Sequence, residues 1–107
     1  MTELKEMLWA RLRQIPEGRV STYGDMAAAL GKPKAARAVG GMLATNPDAP
    51  RTPCHRVVRS DGSLGGYQGG MEAQSRKRDL LESEGVRVVD GKVQDFDRLR
   101  FRDFPPL

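Results

Sequence analysis

Cysteine and histidine are almost missing from this chain. Its 107 residues hold one of each, Cys54 and His55. A disulfide within the chain and a cysteine-based zinc cage are therefore excluded. A single histidine also rules out most His-rich metal sites, so neither a metal nor a cofactor is expected. Aromatic residues make up only 6%. No run of about 18 apolar residues occurs, so no membrane-spanning helix is expected and no membrane partner. The opening Met1-Thr2-Glu3-Leu4-Lys5-Glu6 is too acidic and too broken for a signal peptide. The length suits one domain over residues 1–107. With 30% charged residues and a mean hydropathy of −0.56, the composition points to a small, soluble, intracellular protein.

What is abundant is positive charge, and it is localised. The chain carries a net +4. Residues 31–59 hold Lys32, Lys34, Arg37, Arg51, Arg56 and Arg59 against Asp48 alone, a net +5. A basic stripe of this kind is an electrostatic footprint for a polyanion. The alternative is a merely solvated basic face.

Periodicity supplies the elements. Leu4, Met7, Leu8, Leu12 and Ile15 repeat in steps of three and four, which predicts an amphipathic helix of about three turns ending at Pro16-Glu17-Gly18. Arg19-Val20-Ser21 is β-prone. Thr22-Tyr23-Gly24-Asp25 has the hydroxyl-x-x-acid pattern that starts a helix, here running to Leu30 with Gly31 as its left-handed cap. Pro33 then opens a third helix over 33–45. Ala35, Ala38, Val39, Met42 and Leu43 form its apolar face, and Lys34, Arg37, Gly41 and Ala44 its other face. Two short helices joined by Gly-Lys-Pro read as a helix-turn-helix. The outer face of the third helix is mostly small and lacks base-reading side chains. It suits close approach to sugar and phosphate, or else tight packing inside a core.

Asn46 to Pro50 is an irregular turn, and Cys54 to Val58 a short apolar stretch. A glycine-rich loop spans 62–70 around Tyr67 and lacks the Lys-Ser/Thr ending of a nucleotide-phosphate loop. A polar helix follows over 72–84, with Ala73, Leu80 and Leu81 inward. Residues 86–93 form a hairpin on an Asp90-Gly91 turn. The tail from Phe96 to Leu107 mixes aromatics with arginines. The fold class is mostly α: a winged-helix-like helix-turn-helix domain with short strands and a C-terminal hairpin.

Cys54 and His55 are neighbours. On an extended strand their side chains point to opposite faces, so the imidazole reaches the thiol only if the backbone bends, and Pro53 favours a bend. A base beside a thiol raises its thiolate fraction, and the thiolate is the nucleophile. The histidine then needs an orienting group, most often a carboxylate. A lone cysteine can equally be a buried small hydrophobe.

The motifs around this pair resemble those of the O6-alkylguanine-DNA alkyltransferases. Pro53-Cys54-His55-Arg56-Val57 resembles the active-site signature. Pro33 to Gly41 resembles the DNA-binding helix, Val20 to Gly24 its approach, and Asn46-Pro47 the turn after it. Gly65-Gly66-Tyr67-Gln68-Gly69-Gly70 resembles the active-site loop, and Leu80 to Gly85 the closing helix. The matches run in family order over about residues 4–90.

The resemblance implies that Cys54 accepts an alkyl group from guanine. His55 would be the base, acting through a water, with Glu84 orienting it and Asn46 holding the turn behind. Tyr23 would rotate the nucleotide and hydrogen-bond the guanine ring. Arg37 would fill the space of the flipped base. Lys34, Ala35, Ala36, Gly41, Thr22, Tyr23 and Arg56 would contact DNA. Tyr23, Val57, Tyr67 and Gln68 would line the alkylguanine pocket, with main-chain groups of Cys54 and Val57 reading the guanine amino group. The implied partner is double-stranded DNA bearing O6-alkylguanine, bound in the minor groove without sequence preference by a monomer. The implied location is the cytoplasm or nucleoid, or a nucleus in a eukaryote. The span from Gly70 to Leu80 is longer than in those enzymes, and Gln68 stands where a small serine is common. Residues 72–78, the aromatic tail and the short length resemble instead the alkyltransferase-like proteins, which sense the lesion and direct it to nucleotide excision repair proteins.

Overall fold

Leu8, Leu12 and Ile15 lie in steps of four and three, and this spacing turns one face of the first helix inward. The computed structural model describes residues 2–65 and 71–107, with side chains from 3 to 65 and from 74 onward. In it α1 spans Thr2–Gln14. Leu8, Leu12 and Ile15 are buried and Leu4 packs against the same core. Met7, expected on that face, sits to its flank and is 40% exposed. After the Pro16–Gly18 turn the chain enters β1, Ser21–Thr22.

The expected capping box is present at the start of α2, Tyr23–Ala29. The Thr22 hydroxyl accepts from the Asp25 N–H at 3.0 Å, and the Asp25 carboxylate accepts from the Thr22 N–H at 3.3 Å. Gly31, at φ +76°, takes the left-handed conformation that ends the helix. The third helix starts later than expected. Ala35 N–H donates to the Lys32 carbonyl, closing a turn with Pro33 at its second position. α3 is therefore Ala36–Leu43. It buries Val39, Met42 and Leu43, leaves Ala35 half-buried, and exposes Ala38. The two helices and their turn form the helix-turn-helix.

Cys54–Arg56 is one turn of 3-10 helix, so the backbone does bend there. It leads into β2, Val57–Val58, which pairs in parallel with β1, Ser21 opposite Val57 and Thr22 opposite Val58. α4, Met71–Ser83, packs against the Cys54 turn. Leu81 points inward as expected, Leu80 is half-buried, and the Ala73 side chain lies outside the described residues. β3, Val88–Val89, and β4, Lys92–Val93, form the antiparallel hairpin. Its Asp90 and Gly91 have φ of +51° and +75°, the two left-handed residues that a tight hairpin turn requires.

The tail is not loose. After a short α5, Phe96–Leu99, it runs back along the start of β1, where Phe101 N–H donates to the Val20 carbonyl and Val20 N–H to that of Leu99. Two clusters result. α1, α2 and α3 close over Cys54 and Val57, with Phe101 and Phe104 against them. Val20, Val58, Leu64, Leu81, Val86 and Val93 form the second, with Phe96 and Leu99 at its edge. No helix of the described residues is long and apolar enough to cross a membrane.

Candidate active site and nucleic-acid interface

The parallel pair of strands does the positioning. Cys54 precedes β2, 4% exposed, and Tyr23 follows β1 at the first turn of α2. The bend after Pro53 fixes His55, which is 1% exposed. Its Nε2 faces Glu84 Oε2 at 3.0 Å. Arg56 forks onto the same carboxylate, Nε to Oε1 at 2.9 Å and Nη2 to Oε2 at 2.6 Å, and its Nη1 donates to the Ile15 carbonyl at 2.8 Å.

This geometry selects a tautomer. An ionised carboxylate only accepts, so Nε2 carries the proton and Nδ1 keeps its lone pair. Nδ1 is buried and has no hydrogen-bond partner among the described residues. Burial lowers the His55 pKa and outweighs the Glu84 hydrogen bond, which raises it. The ring is therefore neutral at pH 7 and able to take a proton. Burial pushes the Glu84 carboxyl up, but the bonds from Arg56 and His55 prevail and hold it below its ordinary value.

Asn46 braces the turn that leads to the cysteine. It is buried, and its Nδ2 donates to the Thr52 carbonyl at 2.7 Å. The Cys54 N–H donates to that same carbonyl at 2.9 Å. Asn46 Oδ1 accepts from the Asp48 N–H, closing the turn on itself. Burial raises the Tyr23 pKa, with Arg59 opposing and Cys54 adding to the rise, so its hydroxyl stays a donor at neutral pH. The Val57 N–H donates to the Cys54 carbonyl within the 3-10 turn. The Val57 carbonyl accepts from Lys77, and each of the two carbonyls keeps a second lone pair.

One residue of this site escaped the sequence reading. Lys77 of α4 is 1% exposed. Its Nζ donates to the Val57 and Leu64 carbonyls, each at 2.6 Å, and lies 5.8 Å from the centre of the Tyr23 ring. Burial pushes its pKa down to about 7, which a Cys54 thiolate opposes and Arg59 reinforces. A signal was available: position 77 lies four residues before Leu81 and four after Ala73, on the inward face of α4.

The outer face of α3 is a surface and not a packed core. Arg37, Ala38, Gly41 and Ala44 are exposed, as is Lys34 before the helix, while Ala35 and Ala36 are half-buried. A Cβ on Gly41 would meet nothing within 4 Å. Two expected DNA contacts are placed elsewhere. Thr22 is 1% exposed with its hydroxyl committed to the cap. Arg56 turns inward onto Glu84 and the Ile15 carbonyl, so it belongs to the site and not to the outer face. Tyr67 and Gln68 lie outside the described residues.

The fold and site define a helix-turn-helix domain with a buried cysteine–histidine–glutamate arrangement behind its second helix. The family model for the 6-O-methylguanine DNA methyltransferase, DNA binding domain, matches residues 3–86, and the chain belongs to that family. It is 47% identical over 102 residues to a bifunctional methyltransferase/endonuclease of Picrophilus torridus, covering 95% of this chain and 33% of that protein. It is 43% identical over 89 residues to the methylated-DNA--protein-cysteine methyltransferase of Haemophilus influenzae, covering 83% of this chain and 48% of the other. The chain thus spans a third to a half of these curated relatives. Among solved structures it resembles S. pombe Atl1 in complex with damaged DNA containing O6-carboxymethylguanine, at a TM-score of 0.83 and 30% identity, over 94% of this chain and 96% of that one. It also resembles Mycobacterium tuberculosis OGT in complex with DNA, at a TM-score of 0.72 and 45% identity, over 78% of this chain and 50% of that one.

Proposed function

We propose that this protein takes O6-alkylguanine out of duplex DNA and transfers the alkyl group, once and irreversibly, to Cys54. The observation that carries this reading is the buried His55 beside the cysteine. One ring nitrogen is held by Glu84, and the other has no partner among the described residues. His55 accepts the thiol proton through a water. Sγ attacks the alkyl carbon in line, the carbon–oxygen bond breaks, and the guanine leaves as an anion that then takes up a proton. The Tyr23 hydroxyl donates to the guanine ring as that charge develops. The carbonyls of Cys54 and Val57 accept from the guanine amino group, and Lys77 holds the Val57 carbonyl in place.

DNA enters from the α3 side. The exposed small residues there suit the minor groove, which carries little sequence information. Arg37 enters the stack and offsets part of the extrusion cost of roughly a few kcal/mol. The exposed Lys32, Lys34 and Arg51 of the basic stripe contact the backbone and supply most of the affinity.

A second reading is a lesion sensor that binds without transfer and directs the site to excision repair proteins. The likeness to Atl1 over nearly the whole of both chains favours it. Incubation with a duplex carrying one O6-methylguanine separates the two. Transfer adds one methyl group per chain, mapped to Cys54 by intact mass and peptide analysis. Tight lesion binding with protein and base both unmodified rejects the transferase and leaves the sensor.

A further inference from the structure

The register of the parallel strands has a second product. Because Thr22 stands opposite Val58, the residues that follow, Tyr23 and Arg59, leave the sheet side by side. Both converge on Gly65, whose φ is +69°. A Cβ there would come 3.1 Å from the Tyr23 hydroxyl, 3.3 Å from Arg59 Cγ and 3.4 Å from Arg59 Nε. The Arg59 stem thus lies across Gly65 at the Tyr23 hydroxyl, while the residue as a whole is exposed. Among the described residues its guanidinium has no ion pair and no hydrogen bond. Asp61, two residues on, accepts from the Ser63 N–H and hydroxyl and makes no ion pair with Arg59. An exposed fork of donors, uncompensated among the described residues, therefore stands beside Tyr23, past which an extruded nucleotide swings on the proposed reading.

We infer that Arg59 binds the DNA phosphate flanking the extruded nucleotide. The proposal rests on the reading that guanine enters past Tyr23. A guanidinium matches a phosphodiester in charge and in donor geometry. Its position assigns it to the extruded state. The phosphate reaches the mouth only when the base has left the stack, so Arg59 adds to lesion binding and not to binding of intact duplex. This differs from Lys34 and the small residues of the α3 face, whose contacts serve both.

The test uses the full chain in a Cys54→Ala background, which keeps the lesion intact. Binding to a duplex with one O6-methylguanine, and to the same duplex with guanine, is measured by anisotropy over a series of KCl concentrations. The parent is measured first: if it does not prefer the lesion duplex, the extrusion reading fails and the Arg59 role fails with it. Given that preference, Arg59→Gln lowers the salt slope on the lesion duplex by about 0.9, the release of one counterion set, and leaves the plain-duplex slope unchanged. Arg59→Lys retains most of the slope. Replacing the flanking phosphate by a neutral methylphosphonate abolishes the difference between the parent and the Arg59→Gln variant. Equal losses on both duplexes, or no loss on either, overturn the proposal. So does a loss seen only when the adduct itself carries a carboxylate, which assigns Arg59 to the adduct and not to the backbone.

Discussion

Lys77 reaches from α4 to donate to the Val57 carbonyl at 2.6 Å, tying the closing helix to the strand that follows Cys54. An almost wholly buried ammonium is unusual, and it has a measurable signature. Its folded-state pKa is lowered to about 7, whereas in the unfolded chain it titrates near the ordinary 10.5. Between those values the unfolded chain binds more protons, so stability rises with pH across this window. Urea unfolding of the wild type is expected to shift to higher midpoints between pH 7 and 9.5. Lys77→Met, which keeps the stem but not the charge, flattens that rise. Parallel profiles for the two proteins reject the assignment.

The acid side runs through His55 and Glu84. The His55 pKa is lowered, so the unfolded chain takes a proton first as pH falls below about 6.5. The Glu84 pKa is lowered too, so its contribution, present above the unfolded value near 4.5, is lost as pH falls through the folded one. Both losses have the same sign. The melting temperature is expected to decline from pH 7 to 5 and more steeply below 4.5. A flat profile from pH 7 to 4 contradicts the buried pairing.

Glu84→Gln separates chemistry from binding. The amide keeps the shape but not the charge that fixes the His55 tautomer. The single-turnover rate of alkyl transfer is expected to fall by about a hundredfold, the size of a general-base contribution, while lesion affinity is retained. Rapid-quench sampling read by intact mass gives the rate. An unchanged rate removes His55 and Glu84 from the proton path.

How far the sequence foretold this site depends on distance along the chain. The capping box at Thr22, the turn at Asp90-Gly91 and the bend after Pro53 are local patterns, and each was legible. The start of α3 was not, because proline serves equally as a first helical residue and as the second residue of a turn, and the Ala35-to-Lys32 bond decided for the turn. The β1–β2 pairing escaped because two-residue strands from distant segments carry no pattern. The inward turn of Arg56 escaped for a related reason: a charge in a basic stripe reads as surface until Glu84 is brought against it.

The family match ends at residue 86, yet the chain beyond it supplies part of both cores. Val93, Phe96 and Leu99 cover one cluster, and Phe101 and Phe104 the other. Arg100 then grips Asp25 with two bonds of 2.9 Å, clamping the start of α2 where Tyr23 sits. A chain cut after Val86 is expected to lose cooperative unfolding. Arg100→Ala in the full chain costs about 1–2 kcal/mol, since the pair is charge-assisted but only partly buried. Urea titration reads both. A cooperative truncated chain refutes the structural role of the tail.

Gly41 and Arg37 test the α3 face without disturbing the fold. Neither packs inward: the Cβ position of Gly41 is open and Arg37 is exposed. Gly41→Glu replaces a poor helix former with a good one, so the melting temperature holds or rises slightly. It also sets a carboxylate and a long side chain against the phosphates, and affinity for any duplex is expected to fall by about tenfold or more. Arg37→Ala behaves differently. Stability stays within about 0.5 kcal/mol, as for an ordinary surface change. Lesion affinity falls roughly tenfold, equivalent to about 1.4 kcal/mol of a flipping cost of a few kcal/mol, while plain duplex is affected less. The two variants therefore part company on undamaged DNA. If Gly41→Glu leaves DNA binding intact, α3 does not face the groove, and the Arg37 role falls with it.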